Sequence, residues 1–476
     1  MTVFGILCWL LLNGCAIGPD YKRPAIDSPT HFRSASQTTS TNSLADLAWW
    51  DVYKDETLKE LIRTALTNNY DLRIAVTRAE QARAIAMQAR SQFFPQIGYE
   101  DEAARGKNSV LGTPSPAAQG VTGNSFFGVF NASWEVDLWG RIRRLNESAR
   151  AQFLAAEEAR HGVVLSLVGD VAQAYFELLE LDDELEIAKR TTNSFMETLR
   201  VFSQRLEGGV VSKLETSRAE AALATAAATV PGLERRMAIK ENQISVLLGR
   251  NPAPIPRQTT LLQQTLPPEI PSGLPSQLLE RRPDIRQAEQ LAHSANAQVG
   301  VAVGDFLPKI GLTALYGGVS SELSAITSNG GNVWSVAANV AGPLFQGGRL
   351  YGQYRHSKAA WEEAKLHYQQ TALNAFQEVA DALISGRKLA DVRVQQTRAV
   401  AAYRDAVEVS TQRYVAGKAS YYEVLEAQQQ LFPAENSLAQ TQLNQLLVIV
   451  QLYKAVGGGW HNESNSASAP SKSGKH

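Results

Sequence analysis

Apolar and polar residues alternate between residues 124 and 138. One side of this segment is apolar and rich in aromatic residues: Phe126, Gly128, Phe130, Ala132, Trp134, Val136 and Leu138. The other side is polar: Asn131, Ser133, Glu135 and Asp137. A period of two predicts a β-strand, and aromatic residues on its apolar face are typical of a strand that faces a membrane. The edge of a soluble sandwich is the alternative for this strand viewed alone.

Three more segments are predicted as strands, at residues 96–104, 309–318 and 332–345. The last of these also alternates, with Trp334, Val336, Ala338, Val340 and Leu344 on one side and Ser335 and Asn339 on the other. Its partner segment carries Ile310, Leu312, Ala314 and Tyr316 on one side. The chain therefore contains four predicted membrane strands, arranged as two pairs.

Long helices are predicted around the strand pairs. Apolar residues recur at spacings of three and four from residue 141 to 207 and from 349 to 415, and a helix is also predicted at 57–91. A helix of nearly 70 residues is about 100 Å long, which implies coiled-coil packing. Glycine turns end both long helices, and return helices follow at 213–248 and 421–456.

Most of the chain is an internal repeat. The pattern Arg205-x-x-x-Gly209-x-x-Ser212-x-x-Glu215 returns 208 residues later as Arg413-x-x-x-Gly417-x-x-Ser420-x-x-Glu423. Repeat 1 covers residues 49–250 and repeat 2 covers 276–457, with a proline-rich linker at 251–275 and a predicted disordered tail at 458–476. A repeat of this kind indicates one architecture with internal pseudo-symmetry.

The N-terminus reads as a targeting segment. A short apolar run ends in Leu12-Asn13-Gly14-Cys15, which resembles the bacterial lipobox. Residues 1–14 are therefore predicted as a lipoprotein signal peptide, Cys15 as the lipidated first residue, and 15–48 as a tether. Several acyl chains on Cys15 would anchor the chain stably in a membrane. The sequence contains no apolar run long enough to predict a transmembrane helix.

Four strands cannot close a barrel, and open sheet edges are not tolerated in hydrocarbon. The chain must therefore oligomerise if its strands span a membrane. A homotrimer supplies twelve strands, whereas a dimer supplies eight and a barrel too narrow to conduct much. The predicted fold is mainly α with membrane β: a trimeric 12-stranded β-barrel that continues into an α-helical periplasmic barrel. Such an assembly is a duct.

The chain resembles the TolC-like outer-membrane efflux family, and within it the NodT-like lipoprotein branch. The residues that carry the resemblance are Cys15 with Gly18-Pro19-Asp20-Tyr21, Trp49-Trp50, Asp137-Leu138-Trp139-Gly140-Arg141, Arg281-Arg282-Pro283-Asp284-Ile285-Arg286, Gly342-Pro343-Leu344-Phe345 with Gly347-Gly348, and the two glycine-turn patterns. The resemblance implies a trimeric export channel in the bacterial outer membrane that reaches into the periplasm. It also implies docking with a periplasmic adaptor and an inner-membrane RND-type pump.

The helix turns are the candidate functional site. Gly209 and Gly417 let the chain reverse, and each Ser-x-x-Glu pattern predicts a capping box. The resemblance implies that Glu423 and Glu426 line a periplasmic aperture as charged rings. It further implies that a closed-state latch joins the two repeats; its residues here are Glu215, Tyr414 and Lys418. The lysine stands where arginine is known in the family, and a single-point ammonium clamps less rigidly than a guanidinium.

Composition and motifs disfavour other classes of function. The net charge of −1 implies no nucleic-acid partner. The histidines form no metal-binding spacing, and no nucleophile elbow or phosphate loop is present, so neither an enzyme nor a metal or other cofactor is predicted beyond the lipid on Cys15. Two alternatives to a small-molecule efflux duct stay open: a protein-secretion duct of the same family, and a coiled-coil envelope lipoprotein that does not conduct.

Overall fold

The structure is a computed structural model that describes residues 16–33, 44, 47–110, 113–114, 119–120, 122–264, 275–328 and 330–458. Cys15, most of the residues between 34 and 46, much of the linker after residue 264 and the tail beyond residue 458 lie outside the described residues. The prediction that Cys15 carries lipid and the prediction of a disordered tail therefore concern residues that the structure does not describe.

The first helices are α1 (Trp49–Val52), α2 (Glu56–Asn68) and α3 (Tyr70–Ser91). The prediction of one uninterrupted helix over 57–91 is wrong, because Asn69 has extended backbone angles that separate α2 from α3. The side chain of Asn69 accepts a hydrogen bond from Leu72 N at 3.0 Å and donates one to Leu247 O at 3.0 Å. Asn69 thus caps α3 and ties the break to a distant helix end.

The other elements follow the predicted order with small shifts at their ends. The strands are β1 (Gln96–Lys107), the short pair β2 (Ser109–Val110) and β3 (Thr113–Pro114), β4 (Thr122–Val136), β5 (Lys309–Ser320) and β6 (Asn332–Ala341). The helices are α4 (Arg141–Glu207), α5 (Lys213–Leu247), α6 (Pro275–Arg281), α7 (Pro283–Gly304), α8 (Arg349–Val415) and α9 (Tyr421–Ala455). β6 ends at Ala341, four residues before the predicted end at 345, because Gly342 and Pro343 follow.

The four long strands form one antiparallel sheet in the order β1-β4-β5-β6. The central pairing joins β4 of repeat 1 to β5 of repeat 2, so the two hairpins lie side by side. Among the described strands, β1 and β6 are the edges of this sheet, and each has one side that is not paired within the chain.

The register of this sheet aligns one aromatic residue from every strand. Tyr99 pairs with Phe130, Phe130 with Tyr316, and Tyr316 with Trp334. All four side chains lie on one face of the sheet and are between 63% and 75% exposed. Tertiary pairing therefore gathers residues from four separate segments into one aromatic row.

The chain divides into two compact units, and each takes segments from both repeats. One unit contains residues 16–25, Arg78–Glu157 and Gln287–Gln369, and therefore the sheet. The other contains residues 26–77, Glu158–Arg286 and the chain from Gln370 onward, and therefore the helix turns. The repeats of the sequence are thus not the compact units of the fold.

In the unit with the sheet, residues 17–23 are held against helices. Ile17 N donates to Trp139 O at 3.0 Å. The buried guanidinium of Arg144 bonds Asp20 at 2.7 Å, and the Tyr21 ring stacks on His293 with centroids 4.4 Å apart. The part of the predicted tether that directly follows Cys15 is therefore bound to the folded chain.

In the unit with the helix turns, α4 supplies more buried apolar residues than any other described helix. Val171, Tyr175 and Leu178 have no exposed surface. By length and composition alone α4 is the one helix of the described residues that could cross a membrane, but 61% of its most apolar stretch is buried in the protein. That burial is what a core helix shows.

Candidate functional site at the helix turns

The two turns have the same backbone geometry. Between α4 and α5, Gly209 has a φ of 71° and Val210 N donates to Arg205 O at 2.9 Å. Between α8 and α9, Gly417 has a φ of 71° and Lys418 N donates to Arg413 O at 2.8 Å. This six-to-one hydrogen bond with a left-handed glycine is the Schellman motif, which ends a helix abruptly.

Both predicted capping boxes are present at the starts of α5 and α9. Glu215 Oε2 accepts from Ser212 N at 2.7 Å, and Glu423 Oε1 accepts from Ser420 N at 3.2 Å. Each box satisfies backbone amides that the first turn of a helix leaves unpaired. The two carboxylates are therefore fixed in place beside the positive end of a helix dipole.

Glu423 and Glu426 lie on successive turns at the start of α9, and both are exposed. Arg413 Nη2 lies 3.9 Å from Glu423 Oε2, but both side chains are half exposed, so solvent screens this pair strongly. Glu426 has no ion-pair partner within the described part of the chain. Glu426 thus presents an uncompensated negative charge to solvent at this turn, and Glu423 presents one that Arg413 compensates only weakly.

The three predicted latch residues lie at the two turns, Glu215 in repeat 1 and Tyr414 and Lys418 in repeat 2. No hydrogen bond or ion pair joins their side chains within the described part of the chain. The carboxylate of Glu215 is used by its capping box, Tyr414 is buried, and Lys418 is exposed. The hydroxyl of Tyr414 is buried and has no hydrogen-bond partner among the residues that the structure describes. A latch between these residues therefore stays a prediction.

Behind the turns lies an aromatic cluster that the sequence reasoning missed. The Phe202 ring lies 5.2 Å from that of Tyr414 and 4.2 Å from that of Tyr421. The guanidinium of Arg205 stacks on Tyr414 at 4.5 Å from the ring centroid, a cation–π contact. Tyr414 lies at the end of α8 and Tyr421 at the start of α9, so no single helical period relates the two residues, and Phe202 belongs to the other repeat.

The cluster joins the ends of α4 and α8 to the start of α9, so it links the two repeats at the turns. Burial, followed by the neighbouring Tyr414, raises the pKa of Tyr421 to about 12. The phenol is therefore neutral at physiological pH and acts as packing surface. No group of three or more His, Cys, Asp or Glu residues that could hold a metal ion is found in the described ranges.

A scan against protein-family models matches residues 61–250 and 274–458 to the family described as outer membrane efflux protein. The solvent efflux pump outer membrane protein SrpC of Pseudomonas putida is 33% identical over 96% of this chain and 98% of its own length. The cation efflux system protein CusC of Escherichia coli O6:H1 is 31% identical over 95% of this chain and 97% of its own.

The fold is also similar to solved outer membrane channels. The open state of the Neisseria gonorrhoeae MtrE outer membrane channel aligns with a TM-score of 0.84 and 29% identity. The alignment covers 94% of this chain and 98% of that one. The similarity therefore extends over nearly the whole length of both chains.

Proposed function

Because this chain belongs to the family of outer membrane efflux proteins, we propose that three copies of it form the passive exit channel of an efflux pump. The channel conducts small molecules such as drugs or solvents across the outer membrane to the exterior. SrpC and CusC are themselves named as parts of efflux systems, which supports an assembly with a periplasmic adaptor and an inner-membrane RND-type pump. The duct catalyses no reaction, and the pump supplies the energy.

The sheet carries this proposal. Its two edge strands, β1 and β6, have unpaired sides, and unpaired backbone groups are too costly to leave in hydrocarbon. β1 of one copy pairing with β6 of the next closes a ring, and three copies give twelve strands. The aromatic row of Tyr99, Phe130, Tyr316 and Trp334 then becomes the interfacial girdle of the barrel.

The helix turns form the periplasmic entrance in this proposal. Glu423 and Glu426 of three copies create rings of carboxylates that favour cations over anions. The latch of Glu215, Tyr414 and Lys418 holds the entrance closed between pump cycles. Helix pairs that slide past each other open it, a shear motion that needs no bound nucleotide.

Conductance in planar lipid bilayers tests the channel and the latch together. The purified protein should have the mass of a trimer in detergent and show small single-channel currents. Replacing Glu215 and Lys418 by Ala should increase those currents because the entrance opens. A monomer without a pore would overturn the channel and leave the non-conducting envelope lipoprotein. A conducting trimer unaffected by both substitutions would overturn only the latch.

Loss of drug or solvent resistance in cells that lack the gene separates small-molecule efflux from protein secretion. Cells that keep their resistance but lose an exported protein would favour the secretion duct.

The lipid on Cys15 is a separate part of the proposal. Residues 17–23 are bound to the sheet-containing unit, so an acyl group at Cys15 would be held beside the strand ends. The measured mass of the N-terminal peptide should exceed the mass calculated for an unmodified peptide that begins at Cys15, and the difference should equal the mass of the acyl groups. Replacing Cys15 by Ser should abolish this difference, and an unmodified wild-type peptide would overturn lipidation.

A further inference from the structure

Glu435 of α9 is a buried carboxylate whose two oxygens are both occupied. Its side chain is only 6% exposed. Arg190 Nη2 lies 2.8 Å from one oxygen, while Arg404 Nε and Nη2 lie 2.9 and 2.6 Å from the other. Charge-assisted hydrogen bonds of this kind are among the strong ones in proteins. We call these three residues the Glu435 cluster.

The Glu435 cluster joins helices of both repeats. Arg404 lies on α8 and Glu435 on α9, which are the helix pair of repeat 2. Arg190 lies on α4, the long helix of repeat 1. The bond to Arg404 therefore stays within one helix pair, whereas the bond to Arg190 crosses between pairs. Relative movement of the pairs breaks only the second bond.

The backbone beside the cluster is interrupted. Pro433 lies inside α9, two residues before Glu435, and a proline removes one helical hydrogen bond and favours a bend. A cavity of about 450 Å³ lies here, with Arg190, Arg404 and Glu435 in its wall. A helix next to a void and without one backbone bond can bend at low cost.

A proline also interrupts α5, at Pro231. Phe432 of α9 packs against the hydrophobic cluster that includes Val230 and Leu233 of α5. Both return helices are therefore weakened where they meet. The helix turns, with their own aromatic cluster, lie beyond this level along each helix.

The internal repeat does not reproduce the cluster. The residue 208 positions before Glu435 is Ala227, and the residue at the same distance before Arg404 is Met196. Coiled-coil packing in repeat 1 thus proceeds without such a carboxylate. The cluster is an addition to repeat 2, whose return helix carries Glu423 and Glu426.

We propose that Glu435 is a positioning residue for gating. Its bond to Arg190 holds the helix pair of repeat 2 against α4 near Pro433, and this contact restrains the entrance from opening. This inference rests on the proposed channel function. Glu435 does not line the aperture or touch a permeating molecule. It acts through the position of α9, and therefore through Glu423 and Glu426.

The test compares open probability of the full-length trimer in planar bilayers for two arginine variants. Arg190→Gln removes only the bond between repeats and should raise the open probability by about tenfold, as expected for the loss of one coupled charge pair. Arg404→Gln removes a bond within the moving pair and should leave the open probability near that of the wild type. Arg190 is half exposed and its loss leaves Glu435 paired, so this variant should still fold.

Glu435→Gln should open the channel to the same extent as Arg190→Gln, and the double variant should open it no further. This non-additivity identifies one shared interaction. Arg200→Gln is the matched control, since Arg200 pairs with Glu197 within α4 alone and should not change gating. Thermal unfolding of all variants separates gating from a general loss of stability.

Two outcomes would overturn the inference while the channel function stands. In one, Arg190→Gln conducts as the wild type does, although the variant without Glu215 and Lys418 opens. In the other, Arg404→Gln opens the channel as much as Arg190→Gln, so the cluster only stabilises the bundle. A trimer in which no variant conducts would instead overturn the proposed function itself.

Discussion

At the residue scale, Glu423 and Glu426 at the start of α9 have different structural roles. Glu423 closes a capping box, and that structural role alone accounts for a glutamate at this position. Glu426 has no such role, because it lies one turn further on, is exposed and has no ion-pair partner within the described residues. Glu426 is therefore the sharper test of the proposed aperture.

We expect Glu426→Gln to lower the preference of the channel for cations without changing stability. Glu423→Gln should lower both the cation preference and the stability. The free energy of unfolding should fall by about 1 kcal/mol or less, because a capping contact is weakened. Reversal potentials in a salt gradient report the ion preference, and thermal unfolding reports the stability. An unchanged reversal potential for both variants would exclude them from the aperture.

Glu180 of α4 is a buried acid that takes no part in the turns. Glu180 is 3% exposed, and its Oε1 has no hydrogen-bond partner in the described part of the chain. Burial, followed by the neighbouring Glu184, raises the pKa of Glu180 from 4.5 to about 8. The folded protein therefore holds a proton here at neutral pH that the unfolded chain releases.

This raised pKa predicts a pH-dependent stability. The stabilising effect of the bound proton is complete below about pH 4.5 and is lost as the pH rises through about 8. Glu180→Gln, which mimics the protonated acid, should be more stable than the wild type at about pH 9, on the order of 2 kcal/mol. Circular dichroism melts at about pH 5 and 9 measure the effect. Glu186→Gln, an exposed site on the same helix, is the control, and identical pH profiles for Glu180→Gln and the wild type would contradict the assignment.

At the element scale, the turns depend on glycine for two different reasons. Gly417 needs its left-handed φ of 71°, but a Cβ there would meet no atom of the described residues within 4 Å. Gly249, just after α5, has a φ of 67°, and a Cβ there would overlap Asn68 O. At Gly417, backbone strain alone disfavours any other residue. At Gly249, a side chain would in addition clash with the end of α2.

Gly417→Ala should therefore destabilise the protein by about 1–2 kcal/mol, the strain of a left-handed residue with a Cβ. Gly249→Ala should cost about 1–3 kcal/mol more, since the end of α2 must move. Denaturant unfolding of the two variants beside the wild type measures the difference. Equal losses would mean that the contact between Gly249 and α2 does not constrain the fold.

At the scale of the whole molecule, the sheet decides which surface meets lipid. Val336 is 76% exposed on the face that carries the aromatic row, and Ser335 lies on the opposite face of the same strand. The proposed barrel places Val336 toward lipid and Ser335 toward the lumen. The same substitution can therefore be made at Val336 and at Ser335, and its effects on the two faces compared.

Val336→Arg should destabilise the barrel by roughly 2–4 kcal/mol if it lies near the middle of the membrane, because hydrocarbon does not solvate a guanidinium. Ser335→Arg should insert normally and reduce cation conductance. The yield of folded trimer in outer membranes and its conductance distinguish the faces. Normal insertion of Val336→Arg combined with failure of Ser335→Arg would reverse the assignment of lipid and lumen.

The elements were predictable because their signals are local. The alternation around Trp134 predicts a strand, and the pattern of Ser212 and Glu215 predicts a capping box, since both depend on neighbours within a few residues. The break at Asn69 was missed because its side chain bonds Leu247, a partner far away in the sequence. The early end of β6 was missed although Gly342 and Pro343 were visible.

The sequence by itself determined the repeat, the strand pairs, the long helices and the acidic turns, because periodicity and capping are properties of short segments. The tertiary structure alone decided the aromatic row from Tyr99 to Trp334 and the meeting of Arg190, Arg404 and Glu435. Strand register and helix packing decide which distant residues become neighbours, and a short segment carries no record of its partner.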